Sequence, residues 1–222
     1  MSKQYVIVIG RHFGSGGRQV GVGLSEKLGI PLYDKSILAK VAEEQGVSDE
    51  RLRKMDEYLN GNRIQNILLQ AKHAALGAAY LYETDPSLVL DRDKVFQWQA
   101  DLIRRLADEG PCIIVGRCAD YVLRDQENVL NVFIKADREE RIRRIIEYYG
   151  ADPLKAEEQL KKADRQRASY YNYYATGSWG DVDNYDLCVD TGALGITGAV
   201  ELIACCAQLM EKKAEQKDPE VW

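Results

Sequence analysis

Histidine is scarce in this chain: His12 and His73 are the two present. Neither has a serine or cysteine set up beside it as a nucleophile, which argues against triad hydrolase chemistry. The five cysteines, Cys112, Cys118, Cys188, Cys205 and Cys206, form no CxxC pair and are odd in number. Free thiols in a reducing compartment are expected rather than a disulfide framework. Cys112 and Cys188 lie in apolar, strand-like runs and are expected in the core. Cys205 and Cys206 are adjacent on a helical segment and should point in different directions. No apolar stretch reads as long enough to span a bilayer. The first residues enter a strand too soon to leave room for a signal peptide, so a cytoplasmic chain without a membrane partner is expected. A basic excess is also lacking. The net charge of −5 argues against a nucleic-acid polymer as partner, although a local arginine cluster can still bind a nucleotide. The chain has no internal repeat and no low-complexity segment.

What is present is the composition of a globular protein, 45% hydrophobic and 29% charged over 222 residues, enough for one large domain. Strands are expected at Tyr5–Ile9, Pro31–Tyr33, Cys112–Val115, Val129–Ala136 and Tyr185–Val189, with helical patterns between them. That alternation predicts a parallel α/β sheet with helices on both faces. The first helix stops at Gly29 and Pro31. A stripe of Val95, Trp98, Leu102 and Leu106 marks a helix from about 94 to 109. Ile142, Ile145, Ile146 and Tyr149 mark another, and a last helix is expected from Gly195 to Met210. Residues 36–93 are too long for a simple crossover and read as a helical insertion, placed to hold a second substrate. The charged tail, 211–222, is expected to fray.

The most informative segment is Gly10-Arg11-His12-Phe13-Gly14-Ser15-Gly16-Gly17-Arg18-Gln19. It joins the first strand to the first helix. Glycines there let backbone N–H groups converge on a phosphate, and the helix N-terminus adds partial positive charge. The usual P-loop follows its last glycine with Lys and then Ser or Thr. Here those positions hold Gly17 and Arg18. Arg11 or Arg18 is the expected source of cationic charge, and Ser15 is the nearest hydroxyl.

Taken with Ile30–Lys35, Ile113–Asp120, Val132–Arg144, Ala163–Tyr174 and Asn184–Thr191, this loop resembles the cytidylate kinase-like family. The resemblance implies a three-layer P-loop NTPase-type domain over 1–222, with a five-stranded parallel sheet, a helical substrate-binding insertion at 36–93 and a lid at 145–165. It implies transfer of the ATP γ-phosphate to CMP, dCMP or a similar small acceptor, with Mg²⁺. Residues Arg11, Gly14, Ser15, Gly16, Gly17, Arg18 and Gln19 would hold the nucleotide. Arg18, Arg141 and Arg144 would neutralise the transferred group. Asp34, Lys40, Arg117, Asp164 and Arg167 would hold the acceptor. Three departures bear on the substrate: Lys40 stands for an expected Arg, Cys118 for an acid (with Asp120 two positions on), and Leu160 for an Arg. A nucleotide-binding regulator without turnover, or a kinase of another metabolite, are the alternatives.

The remaining features have plainer readings. Tyr170–Tyr174 can stack a base or pack under the lid. Asp91 and Asp93 suit an acidic helix start. His12 can touch the nucleotide from the turn.

Overall fold

The computed structural model describes residues 5–34, 36–45 and 86–216. The elements run β1 (Val6–Arg11), α1 (Gly17–Leu28), β2 (Leu32–Tyr33), α2 (Ser36–Gln45), α3 (Pro86–Glu109), β3 (Cys112–Val115), α4 (Ala119–Val122), β4 (Val129–Lys135), α5 (Arg138–Tyr149), α6 (Ala156–Tyr174), β5 (Leu187–Asp190) and α7 (Thr191–Gln216). The strands form one parallel sheet of order β2-β3-β1-β4-β5. β1 lies at its centre, so the loop that follows it opens at the middle of the sheet's carboxyl edge, where α/β folds bind ligands.

Alternation along β1 builds the three layers. Ile7 and Ile9 face one side, where Val20 and Leu24 of α1 and Ala199, Ile203, Ala204 and Ala207 of α7 close over them. Val6 and Val8 face the other, covered by Ile37 and Val41 of α2, Ile103, Leu106 and Ala107 of α3, and Ala119 and Val122 of α4. Both faces are dry, as the unbroken apolar strands required.

Several expectations are corrected at their edges. β2 begins at Leu32, β4 ends at Lys135, and β5 is shifted to Leu187–Asp190. Cys112 is buried, but Cys188 is exposed. β5 closes one edge of the sheet, and of its residues Val189 is the one covered, so an apolar run there does not mean two-sided burial. α3 begins at Pro86, well before residue 94. α7 begins at Thr191, breaks its helical geometry at Gly195 and continues to Gln216, through the start of the segment expected to fray. Its Thr191–Lys212 stretch is long and apolar enough to cross a membrane by length and composition. Its small residues are what hide that length in the sequence. In this fold its buried side packs on the sheet and α1. Of the expected insertion, α2 and the start of α3 are described; residues 46–85 lie outside the described residues.

Candidate active site

The loop between β1 and α1 leaves the carboxyl end of the central strand, and its His12 N–H donates to the Ile134 carbonyl of β4 at 3.0 Å. Gly14 and Gly16 both take positive φ, 76° and 79°. No side chain caps α1, so the first-turn N–H groups are left for an incoming anion. Ser15 is fully buried, and its hydroxyl donates to the His12 carbonyl at 2.9 Å. That hydroxyl is therefore committed inside the loop rather than turned to a metal. The His12 ring lies edge-on to Phe133 and Trp179, and burial pushes its pKa down.

α5 and α6 clasp the loop from outside. Asp137 caps α5 by accepting from the Glu140 N–H, which aims the helix across the loop. Arg141 donates to the Phe13 carbonyl at 3.3 Å and to Asp164 Oδ2 at 2.6 Å. The other Asp164 oxygen accepts the Phe13 N–H at 2.7 Å. Arg167 donates to the Arg11 carbonyl at 2.9 Å and lies over the Phe13 ring. Beneath them Ile145, Ala156 and Leu160 form a small apolar cluster with Phe13. Leu160, where the resemblance led us to look for an Arg, is a core residue.

Arg144 is buried, and its guanidinium is filled by protein oxygens. It donates to the Ser15 carbonyl, to Thr191 Oγ1 and to the Thr191 carbonyl, and pairs with Glu140. Thr191 Oγ1 in turn donates to the Ser15 carbonyl at 2.7 Å. Through these bonds Arg144 ties the loop at Ser15 to the start of α7. Thr191 was not singled out by sequence reading. The signal available was a Thr directly after an acid at the carboxyl end of the last strand.

A second group of cations gathers at the ends of β1 and β3. Arg11 is half-buried, and its neighbours in charge are Arg167, Arg117 and Asp34. Burial first, then the two neighbouring guanidiniums, push its pKa well below the usual arginine value. Arg18 is exposed and pairs with Asp34 through Nε at 2.8 Å. Gln19 is exposed, with its Oε1 near Gly16. Lys40 lies 4.9 Å from the Tyr33 ring centre. Arg117 and Cys118 take left-handed φ of 62° and 54°, rare for residues with side chains. Such backbone costs of the order of 1–2 kcal/mol per residue and clusters at sites.

Asp120 lies behind that strained turn. Its Oδ2 is buried with no partner, and Tyr171 hydrogen-bonds its carboxyl. Burial raises its pKa. A raised carboxyl favours folding when protonated. That stability is present below the ordinary Asp range near 4 and is lost as pH rises through the folded value. Asp120→Asn should therefore melt about 2–4 °C above the parent at pH 8 and level with it at pH 4. A scan showing the same difference at both pH values refutes this account. The tyrosine run packs rather than projects: Tyr171 is buried, and Phe96 of α3 stacks on Tyr174 at 3.9 Å and meets Tyr170 edge-on. Asp93 accepts from the Tyr174 hydroxyl. Among the described residues no three His, Cys, Asp or Glu cluster as a metal cage.

A central parallel sheet, a glycine-rich loop at its carboxyl edge and helices on both faces make a three-layer α/β fold of the P-loop type. The chain belongs to the cytidylate kinase-like family, whose model matches residues 6–193. It is similar to a cytidylate kinase of Archaeoglobus fulgidus, 27% identical over 113 residues, 49% of this chain and 59% of that protein. The match thus spans little more than half of the relative. A solved but uncharacterised protein from Eubacterium ventriosum superposes with a TM-score of 0.67 at 28% identity, covering 92% of this chain and 99% of the other. A shikimate kinase from Bacteroides thetaiotaomicron shares the fold at 12% identity, TM-score 0.52, covering 93% and 99%. A gluconokinase from Sinorhizobium meliloti does so at 17% and 0.52, covering 96% and 99%.

Proposed function

We propose that this protein transfers the γ-phosphate of ATP to a small phosphorylated acceptor, CMP or dCMP first among them. The observation that carries this reading is the group of guanidiniums from Arg11, Arg117 and Arg167 beside a phosphate-ready loop. Phosphoryl transfer asks little covalent chemistry of a protein. It needs two substrates in line and the charge on the moving oxygens neutralised. Arginine's planar fork serves that need by gripping phosphate with two parallel bonds.

In this reading the loop residues 14–19 hold the donor. Arg117 takes the acceptor phosphate, with Asp34 and Lys40 flanking that side. Asp164 and Arg167 take the base or sugar when the lid opens and the clasp on Phe13 is exchanged for substrate. Arg141 moves from Asp164 onto the transferred group in the same exchange. Mg²⁺ bound to ATP would supply further charge neutralisation. The reading places the reaction in the cytoplasm with small nucleotides as partners.

Two observations favour a second reading, a kinase of another small metabolite. Leu160 is core, and Cys118 stands buried where an acid was expected. ADP release measured across nucleoside monophosphates and common metabolites decides between them. Turnover on CMP or dCMP supports the first reading, and turnover without pyrimidine preference the second. Tight ATP binding with no turnover on any acceptor leaves a regulator. On the productive acceptors, Arg117→Ala should lower kcat/KM by about tenfold or more and by a similar factor for each monophosphate, because it reads phosphate and not base. A loss confined to one base sinks that assignment.

A further inference from the structure

The loop can be set against the P-loop pattern Gly-x-x-x-x-Gly-Lys-Ser/Thr position by position. With Gly16 as the second glycine, the lysine position is Gly17 and the first glycine position is Arg11. Two residues have exchanged kind. The pattern has a glycine leaving the strand and a cation entering the helix. This chain has a cation leaving the strand and a glycine entering the helix.

The geometry makes the two changes one. A Cβ added at Gly17 would stand 2.7 Å from Arg11 Cβ and 2.9 Å from Arg11 Cγ, closer than side-chain carbons pack. The stem of Arg11 therefore occupies the ground from which a lysine at 17 would rise. Its guanidinium continues onto Gly116, a residue at φ 78° with no side chain to obstruct it. Arg11 thus threads between two glycines, from the central strand to the turn that carries Arg117. Its charged neighbours are two more arginines, Arg167 and Arg117, and the carboxylate of Asp34. Arg18 stands differently. Its side chain is 68% exposed and pairs with Asp34.

We propose that Arg11 replaces the P-loop lysine by this reciprocal exchange. It meets the terminal phosphates of the bound nucleotide from the strand side, and Gly17 is a glycine because Arg11 needs its space. The proposal rests on the nucleotide-binding reading above. It adds which cation serves that site and predicts that positions 11 and 17 are coupled.

The test compares the parent with four variants: Arg11→Met, Arg11→Gly, Gly17→Lys and the double variant Arg11→Gly/Gly17→Lys. Calorimetry with ATP and with inorganic tripolyphosphate reads affinity, and thermal melting reads the fold. Arg11→Met keeps the stem across Gly17 and removes the charge. It should melt with the parent and bind about 10- to 100-fold more weakly, the range for a lost charge-assisted bond. Gly17→Lys alone should melt lower, since its side chain meets the Arg11 stem. The double variant should regain the melting temperature lost by Gly17→Lys. It should also bind more tightly than Arg11→Gly, because a lysine again has room to rise.

Parent-like affinity in Arg11→Met overturns the proposal. So does a double variant that melts and binds as the sum of its singles. If the parent itself binds neither ATP nor tripolyphosphate, the nucleotide reading fails and this proposal with it. A parent that binds, with variants that do not follow this pattern, defeats the proposal alone.

Discussion

Asp164→Ala should destabilise the protein by about 3–5 kcal/mol, the range for breaking a buried ion pair from one side. Asp164 and Arg141 are 15% and 11% exposed, so water screens the pair poorly. Removal of the carboxylate strands two donors at once: the Arg141 guanidinium, whose Nε already lacks a partner, and the Phe13 N–H of the phosphate loop. Asp164→Asn should lose less, since its amide oxygen can still accept from Phe13. Urea unfolding of both variants checks the order. A loss under about 1 kcal/mol for Asp164→Ala, typical of an exposed pair, would show that the clasp is not formed in solution. The same variant also bears on the acceptor. If Asp164 reads a base once the lid opens, CMP use falls further than ATP binding does.

Gly14→Ala should be nearly as damaging, for a different reason. Gly14 holds φ 76°, a conformation that costs an alanine about 1–2 kcal/mol. In addition, the new Cβ would lie 2.8 Å from the Arg141 carbonyl oxygen. That neighbour is helix backbone and cannot rotate aside, so a strain of about 1–3 kcal/mol is added. Gly29→Ala is the matched control. Its φ is 68°, but nothing lies within 4 Å of the added Cβ, so it should show the conformational cost alone. The expected result is a melting temperature for Gly14→Ala well below that of Gly29→Ala, with ATP affinity lost in the former and kept in the latter. Equal melting temperatures would mean that α5 does not press on the loop.

These two contrasts mark where sequence reading works. The strands of the sheet were legible because strands buried on both faces need unbroken apolar runs, and Val6–Ile9 and Cys112–Val115 are such runs. The first helix was legible because Gly29 and Pro31 stop it. Cys188 was misjudged because an edge strand has neighbours on one side, and local composition carries no record of that. At the candidate site the chemistry-bearing residues were legible, while their partners were not. Asp164 meets Phe13 across 151 residues of chain, and Arg141 meets Asp164 across 23. A pairing over such separations is decided by how α5 and α6 pack, not by spacing along one helix. Arg144 illustrates this. Its charge suggested a phosphate contact, but nothing in the spacing of its helix showed that it is buried and bonded to Ser15 and Thr191. The link between positions 11 and 17 was hidden for the same reason, since Gly17 read as a lost lysine and Arg11 as one of two sources of charge until their side-chain spaces were seen to overlap.

The Thr191 hydroxyl, shared between the Ser15 carbonyl and Arg144, has a consequence for folding. It ties the first loop of the chain to the start of its last helix, across 176 residues. The loop cannot reach its working shape until the chain is almost entirely collapsed, which is a slow, high-contact-order closure. Once formed, the same hydroxyl joins the loop after β1, the end of β4, α5 and α7 into one cooperative unit. Amide hydrogen exchange in β4, α5 and the start of α7 should then be governed by a single opening event, whereas the two-residue edge strand β2 exchanges earlier and by itself.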